Sequence, residues 1–150
     1  MIDKLINDFI DQIEEVINEK KYERDIVIDH SNLAEEIVKQ PSIFSYYSTL
    51  YAIAEYLASR LKIDLEKTWA ELYKKYCASF EKKPTEKQIE ALILTDKQYI
   101  DANNDYILWQ TYARILKGVV DSLHQKSKML IARLALDKAE LQQLLIKDKI

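Results

Sequence analysis

The sequence predicts an all-α protein: an elongated helical bundle with two long helices, an N-terminal amphipathic helix and two short helices. Three observations predict this class. The 150 residues include one glycine and two prolines, far fewer than a turn-rich β architecture needs. Leu, Ile, Lys, Glu, Ala and Gln, which favour helix, are frequent. Apolar residues also recur at helical spacing along most of the chain.

We expect one oligomerising domain over residues 1–150, made of an acidic N-terminal helix (1–21), middle helices (22–83) and C-terminal helices (84–150). The first 36 residues carry eleven acidic and four basic side chains, whereas residues 106–135 carry five basic side chains against Asp121 alone. This asymmetry fits an acidic face for protein partners and a basic face for phosphates. It also fits ordinary solvated helix faces, and composition leaves both readings open.

The cellular setting is indicated by one cysteine and by the apolar runs. Cys77 stands alone, which excludes an internal disulfide and a multi-cysteine metal site and fits a reducing compartment. The start MIDKLINDFIDQ has acidic residues among its apolar positions, unlike a signal peptide. No apolar run approaches the roughly 20 residues that span a bilayer. We therefore expect a soluble, cytoplasmic protein without a membrane role.

The first half of the chain divides into three predicted helices. Residues 3–21 alternate apolar and acidic side chains at helical spacing and predict an amphipathic helix. Asn32 with Glu35 resembles a capping box for a short helix over 33–39. That helix should end before Pro41, because the residue preceding a proline is pushed out of the helical region. A long helix over about 42–80 follows, with a break possible near Asp64.

The second half begins with two further capping boxes. Thr85 with Gln88 predicts a short helix over about 86–93, and Thr95 with Gln98 predicts the start of a long helix over about 96–145.

The last predicted helix carries an apolar seam at 3-4-3-4 spacing, formed by Trp109, Tyr112, Leu116, Val119 and Leu123. Basic residues, Lys126 and Arg133, stand where the seam should continue. A seam that turns basic is either an oligomer interface with a polar rim or a surface for an anion. The spacing alone leaves both open.

Signals for catalysis are nearly absent. A glycine-rich phosphate loop is excluded by the single glycine. His30 and His124 have no metal-ligand neighbour at helical spacing, and His124 lies on a polar stripe with basic residues. Cys77 lies on a mostly apolar helix, where a packing role is favoured over a nucleophile. The pair Asp101 and Asp105 lacks the Glu-x-x-His of di-iron bundles. We expect no enzyme activity, no cofactor and no metal.

Basic and aromatic residues interleave on the middle helix. Tyr56, Arg60, Lys67 and Lys74 lie close to one stripe, and further lysines follow at Lys75, Lys82 and Lys83. Single-stranded nucleic acid is typically held by cations along its backbone and aromatic rings under its bases. For the lysines from 74 onward, a DNA role and a solvated face are equally compatible with the sequence.

Five tyrosines of the middle helix could instead be core or interface residues with a polar tip. These are Tyr46, Tyr47, Tyr51, Tyr73 and Tyr76. A core role is favoured for Tyr47, Tyr51 and Tyr76, which lie on the apolar stripe. None of these residues offers base-edge readout, so any binding would be sequence-tolerant and salt-sensitive.

Residues 91–131 resemble the UvsY family of phage recombination mediators. The matching features are Thr95-Asp96-Lys97 at the start, then Trp109, the small step at Gly118, and the Lys/Ser-rich segment 125–128. Upstream, Ile28-Asp29 before a short helix and a long helix with a basic stretch follow the same order. The similarity covers roughly residues 28–135 and depends on this order more than on an invariant motif.

The resemblance implies a non-enzymatic helical protein that forms ring-like homo-oligomers in the cytoplasm of the phage host. It implies binding to single-stranded DNA, contact with the single-strand-binding protein and loading of a RecA-like recombinase. The family's DNA contacts map onto Lys74 and Lys75, with Lys82 and Lys83 as weaker candidates. Its multimerisation region maps onto 109–145, which points to Trp109, Tyr112, Leu116, Val119, Leu123 and Leu130.

A second hypothesis gives the chain no nucleic-acid role. An oligomeric helical scaffold or adaptor would use the same apolar seam for assembly, and its charged residues would only keep it soluble. The two hypotheses differ in one observable property, which is salt-dependent binding of single-stranded DNA.

Overall fold

The chain is all-α, as predicted. The structure is a computed structural model that describes residues 2–147, with side chains from Ile6 onward, and this range contains no β-strand. Residue 1 and residues 148–150 of the predicted domain lie outside the described residues. The five helices are α1 (Ile2–Asn18), α2 (Tyr22–Ile26), α3 (Leu33–Ser79), α4 (Glu86–Thr95) and α5 (Lys97–Lys147).

The predicted N-terminal helix is present as α1 and is amphipathic. Ile13 and Val16 are buried, whereas acidic side chains such as Asp11 and Glu15 are exposed. The helix ends at Asn18 because Lys20 adopts a left-handed backbone conformation, with φ of 50°. The short α2 that follows is not indicated by the sequence, whose apolar pattern is interrupted there.

The predicted helix end before Pro41 is wrong. α3 begins at Leu33 and continues through Pro41 to Ser79 without a break at Asp64. Proline removes one backbone donor from the helix. The Ser42 hydroxyl donates to the Lys39 carbonyl oxygen at 2.9 Å, within the turn that contains Pro41. The predicted short helix over 33–39 is therefore the first part of α3.

The helix starts follow the predicted capping chemistry at two of three places. Asn32 accepts from the Glu35 backbone N–H at 3.4 Å, and Thr85 with Gln88 forms a complete capping box. The prediction for Thr95 is wrong, because its hydroxyl bonds back into α4. The next residue, Asp96, caps α5 instead by accepting from the Gln98 backbone N–H at 2.8 Å.

The helices form two compact units, one up to Tyr51 and from Ile115 onward, the other over Ala52–Arg114. Buried apolar side chains of the first unit come from α1, α3 and α5: Ile13, Val16, Tyr47, Leu50, Leu116, Val119, Leu123 and Leu130. The second unit has a core cluster of Leu72, Ile89 and Ile93, against which Trp69, Tyr76, Cys77 and Tyr99 pack.

A buried lysine joins three helices of the first unit. Lys126 on α5 is 3% exposed, and its ammonium pairs with the Glu36 carboxylate on α3. The same ammonium donates to the Asp25 carbonyl oxygen in α2 at 2.9 Å. The Asp25 carboxylate in turn accepts from the Tyr47 hydroxyl at 2.6 Å. A buried ammonium is tolerated only when it is paired and hydrogen-bonded, so these contacts fix its surroundings.

Gln40 adds a second buried polar link between α3 and α5. Its Nε2 donates to the Leu123 carbonyl oxygen at 2.8 Å and to the Ser127 hydroxyl at 3.2 Å. Gln40 immediately precedes Pro41, so this link holds the segment that proline would otherwise tend to release from the helix. Tertiary contact overrides the local preference here.

Lys126→Ala should lower the free energy of unfolding by about 3 kcal/mol, because it leaves Glu36 unpaired. We expect the lower end of the range for buried pairs, since the Glu36 side chain keeps 21% of its surface in water. Urea unfolding followed by circular dichroism measures this. Lys128→Ala, an exposed lysine two residues away, should stay within about 0.5 kcal/mol. A Lys126→Ala loss no larger than the control would contradict the assignment.

Candidate nucleic-acid interface

Three cations of the second unit share one exposed stripe of α3. Arg60, Lys67 and Lys74 are spaced seven residues apart, and all three side chains are exposed. Seven residues are about two helical turns, so successive cations lie about 10.5 Å apart along the axis. Each step drifts by only about 20° around the helix. The sequence prediction of a common stripe is therefore compatible with an unbroken, straight path for an anion.

The stripe is accompanied by carboxylates that weaken but do not remove its positive charge. Lys67 Nζ lies 3.9 Å from Asp64 Oδ1, and both side chains are exposed. Exposed pairs of this kind contribute roughly 0–1 kcal/mol, so a polyanion can displace the carboxylate. Over residues 60–83 the chain has seven basic and four acidic side chains, a local balance of +3 against −3 for the whole chain.

The remaining predicted cations lie off this stripe. Lys75 is one residue further around α3, with its ammonium 5.5 Å from the centre of the Tyr76 ring. Lys82 and Lys83 are exposed in the segment between α3 and α4. The structure therefore groups Arg60, Lys67 and Lys74 on one face and leaves the other lysines as neighbours beyond it.

Exposed aromatic and apolar side chains accompany the cations. Tyr56 is 50% exposed and lies one turn before Arg60 on the same stripe. Ile63 and Phe80 are also exposed, at 48% and 40%. The sequence analysis assigns neither residue a functional role.

Among the tyrosines, the core reading is confirmed where burial tests it. Tyr47 is buried, and Tyr76 packs against the core cluster of the second unit. Burial raises the pKa of Tyr47 well above its ordinary value, and the hydrogen bond to Asp25 adds to the effect. Tyr46 and Tyr73 remain exposed.

The seam of α5 is largely used inside the chain. Leu116, Val119, Leu123 and Leu130 are buried, while Trp109 and Tyr112 are half-buried with their rings in edge contact at 5.3 Å. A buried side chain cannot contact a second copy of the chain. Any surface for self-association must therefore include residues other than these four. Oligomerisation through these six residues stays a prediction.

Lys126 and Arg133, the two basic positions of the seam, differ in burial. The Lys126 ammonium is buried and bound to Glu36 and to the Asp25 carbonyl oxygen, so it is not accessible to an external anion. Arg133 is exposed, and its Nε donates to Asp137 at 3.0 Å within the same helix.

The two histidines and the cysteine have different surroundings. His30 and His124 are exposed, and Cys77 packs against the core cluster of the second unit. Among the described side chains, those of residues 6–147, no group of three or more His, Cys, Asp or Glu is arranged to hold a metal ion. Over the same described part of the chain, no helix has the length and apolarity required to cross a bilayer.

Comparison with known proteins gives no assignment. No protein-family model, no curated protein and no solved structure matches this chain.

A hydrogen bond fixes the end of α3 that carries Lys74 and Lys75. The Tyr76 hydroxyl donates to Asp96 at 2.6 Å, at the junction of α4 and α5. This bond, with the Gln98 backbone N–H and the nearby Lys75 ammonium, lowers the pKa of Asp96 below its ordinary 3.8. Because the folded-state pKa is depressed, the stabilisation is present above pH 3.8. It is lost as the pH falls through the folded-state pKa.

Tyr76→Phe should raise the pKa of Asp96 toward 3.8, since the tyrosine hydrogen bond is the largest cause of the shift. NMR titration of the Asp96 carboxyl carbon measures this pKa directly. Tyr73→Phe removes a hydroxyl from the same helix and should leave it unchanged. Equal Asp96 pKa values in the wild type and in Tyr76→Phe would show that the bond does not form.

Proposed function

We propose that this chain is a non-enzymatic recombination mediator. It binds single-stranded DNA as a homo-oligomer and helps to load a RecA-like recombinase onto strands covered by single-strand-binding protein. The observation that carries the DNA-binding part is the exposed stripe of α3 with Tyr56, Arg60, Lys67 and Lys74 on one face.

The chemistry of the stripe suits a single strand better than a duplex. Cations at regular intervals follow a phosphate backbone, and an exposed ring on the same face gives an unpaired base a surface to stack on. Contacts to phosphates carry no sequence information, so cations that follow the backbone support sequence-tolerant binding. Such binding suits a protein that must act on any strand.

A chain with few cations should bind a single strand weakly, and self-association would compensate for this low affinity. Three or four phosphate contacts per subunit are multiplied when several subunits engage one strand, because later contacts become intramolecular. The mediator role itself, with its recombinase and single-strand-binding protein, is supported by the resemblance of residues 91–131 to the UvsY family.

The second candidate is an oligomeric helical scaffold or adaptor without a nucleic-acid role. The carboxylates beside the cations favour it, because Asp64, Glu66 and Glu71 are all exposed on the same part of α3. In that case the mixed charges of α3 only keep the helix hydrated.

Lys67→Ala combined with Lys74→Ala, two cations of the α3 stripe, should weaken binding to fluorescent oligothymidine by about tenfold or more. Fluorescence anisotropy between 20 and about 200 mM salt measures both affinity and its salt dependence. The slope of log affinity against log salt should become shallower by about 1.4 per chain, at roughly 0.7 per lost phosphate contact on a single strand. The mass of the oligomer should not change.

The matched control removes two exposed lysines from α5 in the first unit, Lys117→Ala with Lys128→Ala. It changes the net charge equally and should leave oligothymidine affinity within about twofold of wild type, as expected for cations that make no phosphate contact. Equal losses in both variants would mean that only net charge matters. If the wild type did not bind oligothymidine at low salt, the proposal would be overturned and the scaffold or adaptor hypothesis would be preferred.

A further inference from the structure

A small cleft of the second unit is lined by two aromatic rings and one carboxylate. It lies between α3 and α5 and has a volume of about 240 Å³. Its walls come from four side chains: Leu65, Glu66 and Trp69 of α3, and Tyr99 of α5. Pockets that enclose a drug-sized ligand usually measure about 300–1,000 Å³, so this cleft suits a head group or the end of one side chain.

The two rings form adjacent walls of the cleft. The centroids of the Trp69 and Tyr99 rings lie 5.5 Å apart, and the ring planes are inclined at 71°. Both side chains pack against the core cluster of the second unit, which fixes their positions, and both remain partly exposed. The face of an aromatic ring is electron-rich, and the face of tryptophan attracts cations most strongly. A cation in this corner can therefore contact more than one ring.

Glu66 adds a full negative charge at the edge of the same cleft. Its side chain is exposed, and its carboxylate forms no ion pair or hydrogen bond with the described side chains. Lys62 lies one turn earlier on α3, is also exposed, and is not paired with Glu66. The cleft therefore favours a positively charged ligand and disfavours phosphates and carboxylates.

The walls also distinguish one kind of cation from another. A lysine ammonium has three N–H donors and an arginine guanidinium has five. Leu65 and the ring faces offer no strong acceptor, so donors turned toward these walls would lose their hydrogen bonds to water. A quaternary ammonium has no N–H donor, and its methyl groups can pack on rings and on an aliphatic wall. We propose that the cleft binds a quaternary ammonium group.

The cleft is separate from the α3 stripe, so binding of a cation here goes beyond the proposed function. Lys67, the stripe residue nearest to the cleft in sequence, is two positions from both Leu65 and Trp69. Two positions are about 200° apart around a helix, so stripe and cleft lie on opposite sides of α3.

An NMR titration of the full, nitrogen-labelled chain with choline tests the site. The sequence has two tryptophans and therefore two indole N–H signals, which the spectrum of Trp109→Phe assigns. The Trp69 signal should shift progressively at millimolar choline. The Trp109 signal should stay in place, although this ring also has an aromatic neighbour, Tyr112, at 5.3 Å.

A neutral analogue of choline separates charge from shape. In this alcohol a tert-butyl group replaces the trimethylammonium group, so it fits the same space without the charge. At equal concentration it should shift the Trp69 signal about fivefold less, because the attraction to a ring face and to Glu66 requires the charge.

Glu66→Gln removes the charge and keeps the size of the side chain. It should weaken choline binding about threefold, the order expected of one exposed ionic contact. Glu71→Gln is the matched control, because Glu71 is an exposed carboxylate of α3 that does not line the cleft. Its affinity for choline should stay within about 1.5-fold of wild type. Both side chains are exposed, so neither change should alter helix content by circular dichroism.

A peptide identifies the source of the quaternary ammonium. A short peptide with one trimethylated lysine should bind more tightly than choline if the ligand is a side chain of a protein, and more weakly if it is a small molecule. Either order supports the site. The proposal would be overturned if neither probe shifted the Trp69 signal, if the neutral alcohol matched choline, or if Glu71→Gln lost as much affinity as Glu66→Gln.

Discussion

The buried ammonium of Lys126 is the constraint on which the first unit depends. It requires a carboxylate and a carbonyl oxygen at fixed positions, and Glu36 and Asp25 supply them from two other helices. The Asp25 carboxylate is in turn held by Tyr47. Because one charge ties α2, α3 and α5 together, Lys126, one of the two cations at which the α5 seam turns basic, is a structural residue. The proposed binding of an anion would then involve other residues.

The two units differ in the side chains that they expose to solvent. In the second unit, the face of α3 turned away from its core cluster carries regularly spaced cations and an exposed tyrosine. In the first unit, α5 continues past its buried residues as an uncovered aliphatic helix. The proposed contact with a strand and the proposed self-association would complement each other, since assembly multiplies a modest affinity.

Local patterns predicted most of the helices, and tertiary contacts account for the rest. Helical spacing and the Thr85–Gln88 capping box are encoded within a few residues, so α1, α4 and much of α3 and α5 were accessible from sequence. The passage of α3 through Pro41 was not, because the Gln40 link reaches 83 residues along the chain. The buried position of Lys126 could not be predicted either, because its partners Glu36 and Asp25 are also distant in the sequence. The spacing of the α3 cations could be recognised in the sequence. Only the structure shows that this stripe is exposed, whereas four of the six seam residues of α5 are buried within the chain.

The central claim is that single-stranded DNA lies along the α3 stripe. Ultraviolet cross-linking of oligothymidine to the full chain, followed by mass spectrometry of the attached peptides, tests it most directly. The account predicts attachment within residues 52–83, with Tyr56 among the modified positions. Attachment confined to residues 114–133 of α5, or none at low salt, would contradict it.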